Sequence, residues 1–147
     1  LLPGQEYQIN DGILAMMEEG YHFHPGVVNE WMDCGNPQIT LDTNSQMLKI
    51  LEQEEVPLVA SDVVLYNSEV IPPCYIGEGV VLKNSKVGPC VALGAGTQVH
   101  NSTLSHSLVQ QHTKVHNANL ERAMLGNNVY FDGKFTEISI GDYSTLK

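Results

Sequence analysis

Residues 70–131 read VIPPCYIGEGVVLKNSKVGPCVALGAGTQVHNSTLSHSLVQQHTKVHNANLERAMLGNNVYF, and this stretch decides the fold. Large apolar residues recur through it: Val70, Ile76, Leu82, Val87, Leu93, Val99, Leu104, Val109, Val115, Leu120, Leu125 and Phe131. Successive members stand five or six residues apart. Taking every third one gives three series: Val70, Val87, Leu104, Leu120; Ile76, Leu93, Val109, Leu125; and Leu82, Val99, Val115, Phe131. Within each series the step is 16 or 17 residues. An amphipathic helix repeats near every 3.6 residues and a half-buried strand near every 2, so neither explains a period of five or six. A short period nested three to a longer one means three short faces per turn. The spacing therefore predicts a mainly β chain wound as a parallel β-helix of about four coils.

The positions between the aliphatics agree. Small or branched residues recur four places after them, at Cys74, Val80, Val91, Thr97, Thr113 and Val129. Glycine follows the aliphatic at Gly77, Gly88, Gly94 and Gly126, where corners are expected to need permissive dihedrals. Several rungs are preceded by a recurrent corner, as in Asn84-Ser85, Asn101-Ser102, His106-Ser107, Asn117-Ala118 and Arg122-Ala123. Asn accepts left-handed backbone and bonds its own neighbours. The competing reading, unrelated short strands in a sandwich, does not explain three series in phase. The repeat resembles the hexapeptide-repeat β-helix family, and that resemblance implies a left-handed coil.

Outside the repeat, Ile9, Ile13, Met16, Met17 and Tyr21 lie at helical spacing. They predict a short amphipathic helix, capped by Asn10 or Asp11 and ended by Gly20. Residues 21–34 read as two strands around Pro25-Gly26. Asn36-Pro37 opens a second helix, with Ile39, Thr43, Met47, Ile50 and Leu51 expected on its buried face. Val63 to Tyr66 read as a strand leading into the coil. After Phe131 a turn at 132–134 and alternating Ile138, Ile140 and Tyr143 predict a strand that caps the open end of the prism. The expected division is 1–60, an α/β segment, and 61–147, the β-helix with its cap.

Charge is uneven. Residues 1–60 carry ten acids and one base, whereas residues 61–147 carry seven acids and six bases, within a net charge of −10. No basic patch is present, which argues against nucleic-acid binding through phosphates and against an anionic membrane surface. No apolar run reaches the ~18–20 residues of a membrane span. The leading residues carry no basic segment of a secretory signal. Cys34, Cys74 and Cys90 are odd in number and lack C-x-x-C spacing. That pattern implies neither a disulfide framework nor a zinc site, and points to a reducing cytoplasmic setting.

Two motifs in the first sixty residues carry a further resemblance. Glu6-Tyr7-Gln8-Ile9-Asn10-Asp11 is similar to the E-[YIL]-[QE]-[LI]-T-D stretch of sugar-1-phosphate nucleotidyltransferases of the glucose-1-phosphate thymidylyltransferase type, with Asn10 in place of Thr. Glu30-Trp31-Met32-Asp33-Cys34-Gly35-Asn36-Pro37 resembles their W-x-D-x-G-[TN]-P. A β-helix commonly follows the catalytic domain in such enzymes. The resemblance implies that Gly4 and Glu6 bind the sugar, that Asp33 is a Mg2+ ligand, and that the substrates are a sugar 1-phosphate and an NTP, dTTP above others. The chemistry is mostly positioning and charge neutralisation, and Mg2+ is held by one or two carboxylates plus substrate phosphates. Plainer readings make Glu6 a helix-flanking acid and Asp33 a turn former before Gly35. The family's G-x-G-T-R-[LM]-x-P loop, its Lys and its first metal Asp have no counterpart here. Residues 1–60 thus resemble the end of a catalytic domain, and this chain alone is expected to be inactive. Flat coil faces imply a homo-oligomer, with the β-helix serving assembly or regulation.

Six histidines bear on the alternative. His22 and His24 would share a strand face, without a third metal ligand beside them. His100 and His116 occupy one repeat position a coil apart and should stack. Their sharper reading is a hexapeptide acyltransferase using His as general base; the plainer one is polar corner residues. His100→Ala separates an acyltransferase from a nucleotidyltransferase or a β-helical assembly module.

Overall fold

The computed structural model describes residues 8–29 and 31–134. The chain divides into two compact units, Leu1–Trp31 and Met32–Lys147.

In the first unit, α1 (Ile9–Glu18) forms at the expected place. Its cap is not Asn10 or Asp11. The N-cap lies two residues before Asn10, at Gln8, whose side chain makes no cap bond. The Asp11 N–H instead donates to the Gln8 carbonyl at 3.1 Å, and the Asp11 carboxylate favours the positive helix start. Gly20 ends the helix as predicted. At φ +93° it lets Tyr21 N–H reach Met16 O and its own N–H reach Met17 O, the paired bonds of a Schellman close. The two strands expected over 21–34 are not formed among the described residues. Val27 and Trp31 are 91% and 83% exposed. Branched and aromatic residues favour a strand only beside a hydrogen-bonding neighbour, and no described segment pairs with them.

The second unit begins with α2 (Pro37–Gln53), capped by the Asn36 side chain, which accepts from Ile39 N–H at 3.0 Å; Pro37 holds the first helical position. The predicted buried face holds in part: Thr43, Ile50 and Leu51 are half-buried. Leu41 and Leu48 are buried, with Asn44, Ser45 and Leu51 half-buried between and beyond them, while Ile39 and Met47 are exposed. The predicted face passed over Leu41 and Leu48. The structure places two leucines at i and i+7 around small polar side chains, and the Ser45 hydroxyl donates to Leu41 O at 2.9 Å.

Strands β1 (Val64–Tyr66), β2 (Glu69–Val70), β3 (Cys74–Ile76), β4 (Val81–Lys83), β5 (Lys86–Val87), β6 (Val91–Leu93), β7 (Gln98–His100), β8 (Thr103–Ser105), β9 (Leu108–Val109), β10 (Lys114–His116), β11 (Asn119–Glu121), β12 (Met124–Leu125) and β13 (Tyr130–Asp132) follow. They form three parallel sheets, ordered β1-β4-β7-β10-β13, β2-β5-β8-β11 and β3-β6-β9-β12. Every third strand pairs, which is a left-handed parallel β-helix of about four turns. The register reproduces the three series residue for residue: Leu82 faces Val99, then Val115, then Phe131; Val70 faces Val87, Leu104 and Leu120; Ile76 faces Leu93, Val109 and Leu125. Leu65 extends the first of these onto β1. Apart from Leu65, which is exposed on the first coil, these side chains fill the prism, and each fully buried one contributes roughly 1.5–3 kcal/mol.

The corners differ from expectation in one respect. Of the four glycines assigned to them, only Gly88 has positive φ, at +115°. The left-handed positions instead form three columns: Asn67, Asn84, Asn101, Asn117; Cys90, His106, Arg122; and Gly79, Gly96, His112, Asn128. Gly94 is small because a Cβ there would lie 2.7 Å from Gln111 N in the next coil. The asparagine column is a hydrogen-bonded ladder, each amide donating to the next at 2.9, 3.2 and 3.3 Å, ending on Asp132 Oδ1 at 3.0 Å. Inside it a second ladder runs through hydroxyls: Ser85, Ser102 and Ala118 N–H groups donate to Ser68, Ser85 and Ser102 Oγ. Buried corner backbone is thereby satisfied without water. The expected cap around Ile138, Ile140 and Tyr143 lies outside the described residues.

Candidate functional site

Gly4 and Glu6 lie outside the described residues, so Asp33 is the described member of the sequence-derived set. It stands in a turn that runs into α2. Asp33 Oδ1 accepts the Gly35 N–H at 2.9 Å, which is the turn-forming role of an Asp before Gly. Its second oxygen, Oδ2, takes no hydrogen bond among the described residues, and the residue is exposed. The turn is held from behind by α2. Thr43 Oγ1 donates to Asp33 O at 2.6 Å, and Thr40 Oγ1 donates to Cys34 O at 3.3 Å and to Asn36 O at 2.9 Å. Asp33 therefore presents one open carboxylate oxygen on a fixed backbone. That matches a single protein ligand for a Mg2+ otherwise held by phosphates and water. No group of three or more His, Cys, Asp or Glu among the described residues could hold a metal by itself.

The start of α2 is tied to the coil. Arg122, at the fourth-turn corner, donates through Nη1 to Asp42 Oδ1 at 2.9 Å and through Nε and Nη2 to Gln38 Oε1 at 3.1 and 3.0 Å. Just beyond the other end of α2, Glu55 and Val56 share an apolar cleft with Pro72, Pro73 and Cys74 of the first coil. The helix thus runs down one corner of the prism, over the column of Cys90, His106 and Arg122. Cys90 is 2% exposed although it sits at an outer corner. Sequence reasoning noted Arg122 only as one of the recurrent corner residues. Its signal was a long charged side chain at a left-handed corner whose other turns hold Cys90 and His106.

His100 and His116 stack as the repeat predicts, with centroids 4.8 Å apart and planes 13° apart. Tyr130 packs edge-on to His116 at 5.4 Å. Burial, then His116, then Lys83 push the His100 pKa down. Asp132, facing His116 in the ladder, is held below the usual carboxylate range by the Asn117 amide and the Lys134 N–H. His22 and His24 are exposed in the first unit. Cys74 is buried, and burial pushes its thiol pKa up. Its Sγ donates to Ile71 O at 3.0 Å. Cys34, Cys74 and Cys90 are all free thiols.

The sign of the His100 shift sets a pH dependence. A folded pKa below the unfolded one means that the unfolded chain takes the proton first. Stability is then fully present above the ordinary His range and declines as pH falls through about 6.5. The melting temperature of the chain should drop between pH 7.5 and 5.5, and by less in His100→Gln. Equal drops in both proteins would contradict the assignment.

Searches against protein-family models, curated proteins and solved structures return no match. No helix of the described residues is long and apolar enough to cross a membrane.

Proposed function

We propose that this chain is the C-terminal part of a sugar-1-phosphate nucleotidyltransferase. In that reaction an oxygen of the sugar phosphate attacks the α-phosphorus of an NTP. The new P–O bond forms as the bond to pyrophosphate breaks. The observation that carries the reading is the segment from Trp31 to Pro37. It combines a motif resembling that family's with an Asp33 that keeps an open oxygen on a turn pinned by Thr43 and by the Asn36 cap. Mg2+ would neutralise phosphate charge beside Asp33. Gly4 and Glu6 would bind sugar hydroxyls, which a carboxylate accepts well. The β-helix would serve assembly or regulation in a homo-oligomer.

The reading gives a two-part test. This chain with NTP, Mg2+ and sugar 1-phosphate should release pyrophosphate at the background rate, because the nucleotide-binding loop is not in its sequence. The chain joined to a nucleotide-binding half should release it, and Asp33→Asn should lower that rate about 100-fold or more, the scale of one charge-stabilising group. Release by the chain alone, or an Asp33→Asn enzyme as fast as the parent, would overturn the reading.

A further inference from the structure

We infer that Arg122 is a positioning residue for the Asp33 turn, so that the fourth coil holds the catalytic segment in place through α2. The inference rests on the nucleotidyltransferase reading for its catalytic meaning, but its structural content stands alone.

The path is a short chain of hydrogen bonds. Arg122 grips Gln38 and Asp42, the first and second turns of α2, with three N–H donors. Thr43, next to Asp42 in the chain, donates to the Asp33 carbonyl; Thr40 donates to the Cys34 carbonyl; Asn36 caps the helix immediately after Gly35. Moving the start of α2 would therefore move the backbone that carries the Asp33 carboxylate. Arg122 is also an uneconomical corner residue. It holds φ +53°, a conformation that Asn adopts readily and a long side chain does not. Asn fills all four turns of the neighbouring column, at Asn67, Asn84, Asn101 and Asn117. A corner needed only for turning would be served better by Asn; the guanidinium supplies a planar fork that reaches two acceptors on another element.

The test exploits that preference. Arg122→Asn removes the clamp while leaving a residue suited to the corner, so the coil itself is spared. Amide hydrogen exchange is followed by mass spectrometry on the 147-residue chain. In Arg122→Asn and in Asp42→Asn, the segment 33–44 should exchange roughly two- to five-fold faster, the scale of an exposed ion pair. The coil segment 81–116 should be unchanged, and Arg122→Lys should recover part of the protection. A purely structural role in the coil would instead speed exchange in 81–116. Unchanged exchange in 33–44, or equal acceleration everywhere, would overturn the clamp. Failure of the functional reading gives a different result: exchange responds as stated, yet Asp33→Asn does not slow nucleotidyl transfer by the chain joined to a nucleotide-binding half.

Discussion

Gly88→Ala should be the most damaging single-methyl change in the coil. Gly88 lies where β5 turns toward the next face, at φ +115°, which an L side chain rarely adopts. Strain of that kind costs about 1–3 kcal/mol. The added Cβ would also overlap the Ile71 carbonyl oxygen and come within 2.8 Å of the Cys74 sulfur. Neither can withdraw freely. Ile71 N–H is bonded to Val87 O at 2.7 Å and Gly88 N–H to Leu104 O at 2.8 Å, so this corner is fixed from both sides. Overpacking of a close-packed interior costs a further 1–3 kcal/mol or so. The total, about 3 kcal/mol or more, should appear as a fall in the urea midpoint of unfolding. A variant within about 0.5 kcal/mol of the parent, the scale of an ordinary surface change, would show that the corner has room the structure does not give it.

Leu93→Ala should cost about 2–5 kcal/mol, the range for a buried leucine in a core that cannot collapse. Leu93 is fully buried, stacked in register between Ile76 and Val109. Strands in a sheet stand ~4.8 Å apart through backbone hydrogen bonds. The coils above and below therefore cannot close on the cavity without breaking their ladders. Met124→Ala supplies the contrast. Met124 is on the same sheet but 40% exposed and faces outward, so its loss should stay within about 1 kcal/mol. Equal costs for the two variants, measured by urea unfolding, would mean that the inward and outward faces are misassigned.

The coil was legible because its information is periodic. Each large apolar residue between Val70 and Phe131 had partners one turn away that constrained it, and the observed register matches those series without a slip. The corners were half legible. Asn84, Asn101, Asn117, His106 and Arg122 stand where a left-handed backbone was read, but the glycines were assigned dihedrals by residue type alone. Gly94 is there for close approach between coils, a tertiary cause that no local rule contains. Strands over 21–34 failed for a related reason: a strand is a property of a pair, and the reading had only one member. The buried face of α2 was read in part: Thr43, Ile50 and Leu51 are half-buried, but the face was centred away from Leu41 and Leu48, because apolar spacing along one helix does not say which side meets the rest of the fold. The Arg122 clamp spans 80 residues to Asp42, so it had no signature except an unexpected corner residue. At the candidate site, sequence named Asp33 and the structure added what holds it.

The most direct test of the central claim, that residues 1–60 close a nucleotidyltransferase catalytic domain, is to read the coding DNA upstream of Leu1. The account predicts an open frame that continues upstream and contains a strand followed by G-x-G-T-R-[LM]-x-P, the phosphate-cradling loop that Asp33 would complement. An initiation codon immediately before Leu1, or an upstream frame without that loop, would contradict it, and the β-helix would then be the functional unit.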